Sequence, residues 1–225
     1  MTIAQSTTHN VGRILGTPVP MLVPLDGPVH VLLVGEAPGP RGADKSGVPF
    51  LGDAAGKVLY DVLVRVGAMT LPPEIAPLAW DGSLFIAHGI MPVAKGVALG
   101  NAFDCCPTDD GATFRAPLRA ELEGAANFAR LTRDITHLRA RGLKGIVTLG
   151  RVATRTIDVL FRKTPMPEIA RRALPHPSAQ GLLSMAPERG RGAKMADLQE
   201  AWMVRCQYAV IQAGYPASSP SPDAS

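Results

Sequence analysis

Residues 29–52 read VHVLLVGEAPGPRGADKSGVPFLG, and this stretch decides the fold. Its first six residues form a short apolar run with frequent β-branched side chains, which is typical of a strand buried on both faces. Gly35 ends the run, and a loop rich in glycine and proline follows it. Such a turn can present backbone N–H groups and one carboxylate, that of Glu36, to a ligand. It can equally be a tight turn in which the glutamate serves only as a cap.

The rest of the chain alternates predicted helices with predicted strands. Asp53 can cap a helix that runs to about Val66. Further helices are predicted over residues 117–142, 151–161 and 194–213. Further strands are predicted over residues 83–90 (SLFIAHGI), 145–149 and 169–174, and residues 92–116 are predicted to be a polar loop. The alternation predicts an α/β protein with three α/β/α layers and a central, four-stranded, mostly parallel sheet.

One domain is expected, over residues 29–213. Residues 1–28 are interrupted by prolines and are predicted to form an irregular N-terminal segment. Residues 214–225 are rich in proline and serine, a composition that predicts a disordered tail. A chain of 225 residues is long enough to bury a sizeable core without disulfide staples.

The composition excludes several classes of protein. The 23 glycines and 21 prolines show no collagen period, and no run of about 18 apolar residues predicts a membrane span. Three cysteines, two of them adjacent, cannot form a disulfide framework and suggest a reducing compartment. The first ten residues, MTIAQSTTHN, contain no apolar h-region, so no secretory signal is expected. A cytoplasmic protein is therefore expected.

Positive charge is concentrated in one part of the sequence. Residues 139–194 hold 12 Lys and Arg against 3 Asp and Glu, whereas the remainder holds 11 against 16. A basic segment in an otherwise acidic protein is the pattern expected for a polyanionic partner, although a solvated, arginine-rich surface gives the same pattern.

Three predicted strands end in unusual residues, namely Gly35-Glu36, Ala87-His88 and Pro175-His176. Ligands of parallel α/β sheets bind at the carboxyl ends of the strands, so these residues are expected to converge. The loop after the first strand is neither G-x-G-x-x-G nor a P-loop, so dinucleotide and nucleoside-triphosphate binding gain no support.

The segment VLLVGEAPGPRGADKSGVPFLGDAAGKVL (31–59) resembles the first motif of the uracil-DNA glycosylase superfamily, in which Gly-Glu-x-Pro-Gly precedes Gly-x-Pro-Phe-x-Gly. The motif is most similar to that of the family-four, iron–sulfur branch. His176-Pro177-Ser178 resembles the second motif, and KGIVTLGRVATRTI (144–157) resembles a strand–Gly-Arg–helix unit between the two. The resemblance extends over roughly residues 29–213 and implies the fold of that superfamily.

The resemblance also implies roles for individual residues. Cleavage of an N-glycosidic bond builds positive charge on the sugar and negative charge on the departing base. His176 would donate a hydrogen bond to uracil O2, and Glu36 would orient water or stabilise the oxocarbenium ion. Phe50 would stack on the flipped base. The other base-binding candidates are Gly35, Ala37, Pro38, Gly39 and His88. The DNA-binding candidates are Ser178 and the basic residues Arg189, Arg191 and Lys194, with Leu182 or Leu183 as a wedge in the base stack.

The sequence departs from the family pattern at two places. The family-four branch holds its cluster with four cysteines, and this chain has three with a different spacing, so we expect no iron–sulfur cluster, no other metal and no organic cofactor. The family's second strand normally ends in an asparagine that reads the uracil edge, and the predicted strand over 83–90 places His88 there. Neutral imidazole carries its donor and acceptor on separate nitrogens, so His88 could form only one such bond. Asn101 could substitute from the following loop.

These features predict a monofunctional uracil-DNA glycosylase of base-excision repair that acts as a monomer. Its expected partner is single- or double-stranded DNA that contains uracil, which implies association with the nucleoid. Two alternatives stay open: a catalytically weak protein that binds uracil or abasic sites in DNA, and a hydrolase of small nucleosides or nucleotides.

Overall fold

The computed structural model describes residues 14–216, except for the side chains of Glu188 and Arg189. Residues 1–13 and 217–225, which include most of the predicted tail, lie outside this range. The strands are β1 (Val31–Gly35), β2 (Met69–Thr70), β3 (Val93–Ala94), β4 (Val97–Asn101), β5 (Gly145–Leu149) and β6 (Ala170–Leu174). The α-helices are α1 (Ala43–Ser46), α2 (Ala54–Arg65), α3 (Gly82–Ala87), α4 (Arg119–Leu122), α5 (Ala125–Ala140), α6 (Arg151–Lys163), α7 (Ala179–Leu183) and α8 (Met195–Gln212). Short 3₁₀ turns lie at Pro73–Ile75 and Pro187–Gly190.

Four parallel strands form the central sheet, in the order β4-β1-β5-β6. Separate apolar clusters cover its two faces, one built largely from α2 and α8 and the other from α5 and α6. The predicted three-layer α/β/α architecture is therefore confirmed. Strands β2 and β3 form a separate antiparallel pair. Within the described range no helix is long and apolar enough to cross a membrane.

The prediction of a strand over residues 83–90 is wrong, because this segment forms α3. The Asp81 carboxylate caps the helix by accepting hydrogen bonds from the backbone N–H groups of Ser83 and Leu84. At the other end Gly89 has a φ of +64°, and the N–H of Ile90 bonds back to the Phe85 carbonyl. This end is a Schellman motif, which stops a helix at a left-handed residue. Local capping therefore determines the secondary structure of this segment, and its apolar content does not.

The central sheet instead contains β4, which lies inside residues 92–116, the segment predicted to be a polar loop. All five of its residues are buried, and it pairs in parallel with β1 along its full length, so that Asn101 lies opposite Gly35. Its outer edge is covered by the N-terminal segment, where Leu22 exchanges both backbone hydrogen bonds with Leu99. The predicted helix over 117–142 is likewise divided, into α4 and α5, at Gly124.

A glycine substitution tests the corrected element. We expect Gly89→Ala to lower the free energy of unfolding by about 1–2 kcal/mol, because alanine is strained in the left-handed region. Open space surrounds the position, so conformational strain is the only expected cost. Gly89→Asn is the matched control and should cost less, since asparagine tolerates this conformation. Urea denaturation measures both values, and equal effects of the two substitutions would contradict the helix end described here.

Candidate active site

The carboxyl ends of the parallel strands meet at one edge of the sheet, and a cleft of about 920 Å³ opens there. Glu36 follows β1, Gly150 follows β5, and His176 follows β6 by two residues. All three residues line the cleft, together with residues of α6 and α7. Two of the three predicted strand ends therefore converge as expected, while the third position is supplied by β4.

Gly35 is the point at which the site residues approach one another most closely. A β-carbon at this position would lie 2.7 Å from the Asn101 Oδ1 atom and 2.7 Å from the Cε1 and Cζ atoms of the Phe50 ring. Only glycine admits both side chains here. Phe50 and Asn101 do not line the cleft itself, but they meet at the residue directly before Glu36.

Phe50 has a φ of +62°, and in the described part of the chain it is the one non-glycine residue with a positive φ. Backbone strain of this kind persists only where the surroundings hold it. The Tyr60 hydroxyl donates a hydrogen bond to the Pro49 carbonyl (3.0 Å), and Ser46 Oγ donates one to the Leu51 carbonyl (2.8 Å). Gly56 of α2 packs directly against the Phe50 carbonyl, where a β-carbon would clash. The aromatic ring is thus fixed from both sides of the turn.

The Asn101 side chain is 6% exposed, and its amide has no hydrogen-bond partner among the described residues. Its main chain is held firmly, since the Arg130 guanidinium donates to the carbonyls of Asn101 (3.2 Å) and Ala102 (2.9 Å). The amide atoms are nevertheless not among the fully buried side-chain atoms that lack a partner, so they keep contact with solvent. The donor and the acceptor of this amide are therefore both available to a ligand.

His88 does not line the cleft. It is the C-terminal cap residue of α3 and is exposed to solvent. Its assignment as a base-binding residue depended on the strand that proved to be a helix, so that assignment is corrected. The asparagine expected at the end of the second strand is present as Asn101, and the signal that could have found it is the five-residue run VALGN (97–101).

His176 is held in one orientation by two neighbouring segments. The Ser178 backbone N–H donates to its Nδ1 atom (3.2 Å), and Trp202 Nε1 donates to the Pro175 carbonyl (2.8 Å). Burial lowers the pKa of His176, while the Asp53 carboxylate raises it. Because Nδ1 accepts a hydrogen bond, the neutral imidazole carries its proton on Nε2 and can donate from that atom.

Glu36 continues the ladder between β1 and β4 beyond the strand ends. The N–H groups of Ala102 and Phe103 donate to the carbonyls of Gly35 and Glu36 respectively (2.8 and 2.9 Å). Its carboxylate has no hydrogen-bond partner in the described part of the chain, and burial raises its pKa. The site thus combines a half-buried acid with a half-buried base.

The loop that follows Glu36 is closed on itself. The Gly39 carbonyl accepts hydrogen bonds from the N–H groups of Gly42 (3.3 Å) and Asp44 (3.1 Å). The Asp53 carboxylate caps α2 by accepting from Gly56 N–H (2.7 Å) and packs against Gly39 and Gly42. Ala37 and Pro38, the other loop residues predicted to bind substrate, lie between these anchors.

The predicted DNA-binding residues fall into different environments. Ser178 caps α7 and lines the cleft. Leu182 is 1% exposed within the core, so it cannot serve as a wedge, whereas Leu183 is partly exposed beside Gly190. Arg191 and Lys194 are exposed. The Arg189 side chain lies outside the described part of the structure.

The cysteines do not fit the iron–sulfur cluster of the family-four branch. The sequence offers three of the four ligands, and Cys206 is buried in the core within α8. Cys105 and Cys106 are adjacent, beside Asp104, and burial raises the pKa of the Cys105 thiol to about 11. Among residues 14–216 no group of three or more His, Cys, Asp or Glu side chains could hold a metal ion.

The electrostatic coupling of His176 to Asp53 can be measured directly. We expect NMR titration to give His176 a pKa below the ordinary 6.5. Asp53→Asn should lower it further, since the substitution removes a negative charge that favours the imidazolium while asparagine still caps α2. Asp26→Asn, beside His30 before the start of β1, is the control and should leave it unchanged. An increase in the Asp53→Asn variant would refute the coupling.

The family model of the Uracil DNA glycosylase superfamily matches residues 25–202. A Type-5 uracil-DNA glycosylase of Thermus thermophilus is 29% identical over 161 residues, which are 71% of this chain and 64% of that protein. The alignment therefore spans less than two thirds of the relative. A solution NMR structure from Methanosarcina acetivorans, described as a candidate uracil DNA glycosylase, is 14% identical with a TM-score of 0.39, over 86% of this chain and 98% of that one.

The match to the family model carries the assignment, because it extends over more than half of the chain and contains both sequence motifs. The curated relative is of type five, whereas the first motif is most similar to that of the family-four branch, so the comparisons support the superfamily and no particular branch. The chain belongs to the uracil DNA glycosylase superfamily.

Proposed function

We propose that this protein is a DNA glycosylase that removes uracil by hydrolysing its N-glycosidic bond. The observation that carries the proposal is the meeting of Asn101 and Phe50 at Gly35. The Asn101 amide, which has no hydrogen-bond partner among the described residues, and the Phe50 ring lie together there, one residue before Glu36. Glu36 and His176 both line the cleft, just beyond the ends of β1 and β6. Superfamily membership supports the same class of reaction.

Asn101 supplies the recognition that a uracil ring requires. A carboxamide offers a donor and an acceptor side by side, which match O4 and N3–H of uracil. Cytosine presents the opposite pattern at these positions, so the same amide would disfavour it in this orientation. Phe50 would stack on the base, an interaction worth about 1–3 kcal/mol. The arrangement accounts for base selection without any contribution from His88.

Glu36 and His176 have different roles in the proposed reaction. The bond between C1′ of the sugar and N1 of uracil breaks, and its electron pair leaves with the base. His176 donates a hydrogen bond from Nε2 to uracil O2, where the negative charge accumulates. The Glu36 carboxylate stabilises the positive sugar and accepts a proton from the water whose oxygen bonds to C1′. Uracil leaves as its N1 anion and takes up a proton from solvent, while Glu36 returns its proton to solvent. The products are free uracil and an abasic site.

Access to the cleft requires the target nucleotide to leave the base stack. Ser178, at the start of α7, would contact a phosphate beside the target. Leu183 would occupy the space that the base vacates, and Arg191 and Lys194 would bind flanking phosphates. A basic segment of sequence near the cleft supports DNA over a small nucleoside as the substrate.

Two substitutions test the catalytic pair. Glu36→Gln retains the shape of the side chain without its charge, and His176→Ala removes the donor to the leaving base. Each should slow single-turnover release of uracil by roughly a hundredfold or more while DNA binding is retained. The assay uses a uracil-containing oligonucleotide, with alkaline cleavage of the abasic product. Near wild-type rates in both variants would exclude the proposed roles.

Two further substitutions test base recognition. Asn101→Ala should reduce excision roughly a hundredfold, because the bound uracil then loses two hydrogen bonds in a buried site. His88→Ala is the matched control and should leave the rate within about twofold of wild type. The reverse order of effects would show that α3, and not the end of β4, reads the base.

The same assay separates the alternatives. Specific binding of uracil-containing DNA without turnover would identify a DNA-binding protein with little catalysis. Hydrolysis of free deoxyuridine or its nucleotides, with no binding to DNA, would identify a small-molecule hydrolase.

A further inference from the structure

One face of α6 lines the cleft and carries an arginine stripe that the proposed chemistry does not use. Arg151, Arg155 and Arg162 all border the cleft, with Asp158 between them. Their spacing of four, three and four residues places the four side chains on one face of the helix. The three arginines are exposed. We call Arg151, Arg155 and Arg162 the α6 stripe.

The charge of the α6 stripe is not neutralised by its surroundings. Arg151 and Arg162 form no ion pair within the described part of the chain. Arg155 lies 3.3 Å from Glu123, but Glu123 also pairs with Arg119 at 3.0 Å. Asp158 lies 3.4 Å from Arg171 of β6, which offsets its negative charge. The face therefore keeps a net positive charge along its whole length.

The dimensions of the stripe suit a nucleic-acid strand. Arg151 and Arg162 are eleven residues apart, which corresponds to about 16 Å along a helix. A stacked strand presents one phosphate for about every 3.4 Å of its axis, so the stripe spans about four or five phosphates. Exposed guanidinium groups bind phosphate oxygens in a bidentate manner, and their charge is independent of pH in the physiological range.

The position of the α6 stripe relative to His176 indicates the path that a bound nucleic-acid strand would follow. Arg151 begins α6 directly after Gly150, which packs against His176, with a β-carbon at residue 150 lying 3.3 Å from the His176 β-carbon. The stripe therefore starts beside the catalytic histidine and leads away from it. Arg191 and Lys194 follow α7 and lie in a different segment of the chain, so the two basic groups can hold different parts of one strand.

We propose that the α6 stripe binds the phosphates of the target strand on one side of the flipped nucleotide. The inference rests on the proposed function for the identity of the target, but DNA binding along α6 is measurable without excision. The strand would leave the cleft along α6, and the segment around Arg191 and Lys194 would contact its other side.

The first test is a salt titration of DNA binding. Wild-type protein is compared with Arg151→Ala/Arg155→Ala/Arg162→Ala, using fluorescence anisotropy with a uracil-free single-stranded oligonucleotide. The slope of log affinity against log salt should fall by about 0.7 for each phosphate that the variant no longer binds, or about 2 in total. Affinity at low salt should decrease roughly tenfold or more.

The matched control is Arg65→Ala/Arg133→Ala/Arg205→Ala. These three arginines are exposed, lie on α2, α5 and α8 and do not line the cleft, so the net charge changes equally. The control should retain a slope close to that of wild type. If the slope falls equally in both triple variants, net charge alone is responsible and the proposal is overturned. Thermal unfolding of each variant shows whether the fold is retained.

The second test locates the strand. Oligonucleotides with a central uracil are shortened stepwise on the 5′ or the 3′ side, and binding is measured with Glu36→Gln to prevent turnover. Shortening on one side should weaken binding, and the α6 triple substitution in the same background should abolish that dependence. Dependence that survives the triple substitution would overturn the proposal. Loss of uracil excision with these binding results intact would refute the proposed function alone.

Discussion

The site depends on the close approach of two side chains across a residue that has none. Asn101 and Phe50 both lie 2.7 Å from the position that a Gly35 β-carbon would occupy. Gly35 ends β1, which pairs with β4 on one side and with β5 on the other, so the sheet prevents it from moving aside. The register that sets Asn101 opposite Gly35 also directs Glu36 into the cleft. Under the proposed function, a single backbone position therefore couples base recognition to catalysis.

The second constraint is the strained turn that carries Phe50. A left-handed, non-glycine residue costs about 1–3 kcal/mol, and several independent contacts offset this cost. Tyr60 is fully buried and bonds to the carbonyl before Phe50, while Ser46 bonds to the carbonyl after it. Gly56 allows α2 to pack against the turn itself. The aromatic ring is thus part of the core on one side and of the site on the other, which makes it a rigid platform.

Much of the fold follows from local sequence signals. The apolar run that becomes β1, the Asp53 cap of α2 and the short runs that become β5 and β6 are all predictable from periodicity and capping. The helical structure of α3 and the strand structure of β4 cannot be predicted in this way, because both segments are short. Leu84-Phe85-Ile86 is more apolar than Val97-Ala98-Leu99, yet Asp81 and Gly89 terminate it as a helix. Strand β4 is stabilised instead by pairing with β1 and by the N-terminal segment at Leu22, which are contacts between residues distant in sequence.

The same error placed Asn101 in a predicted loop, so that the sequence offered it only as a substitute for His88. Asn101 acquires its meaning from the register of β4 against β1, and no pattern local to residues 97–101 contains that register. The position of Glu36 and His176 at the cleft could be predicted, because each follows its strand within a motif. Leu182 and Leu183 could not be distinguished, because which of two adjacent leucines faces the core depends on how α7 packs against α8.

Burial shifts the pKa values of Glu36 and His176 in opposite directions, and each shift favours the neutral form of its group. It raises the pKa of Glu36 and lowers that of His176. Under the proposed chemistry, a neutral histidine stabilises the departing anion by hydrogen bonding from Nε2 and does not protonate it fully. Asp53 opposes the effect of burial on His176 and thereby limits the fall of its pKa. The Asp53 carboxylate, which caps α2 next to the Phe50 turn, therefore links the conformation of the base platform to the electrostatics of the leaving group.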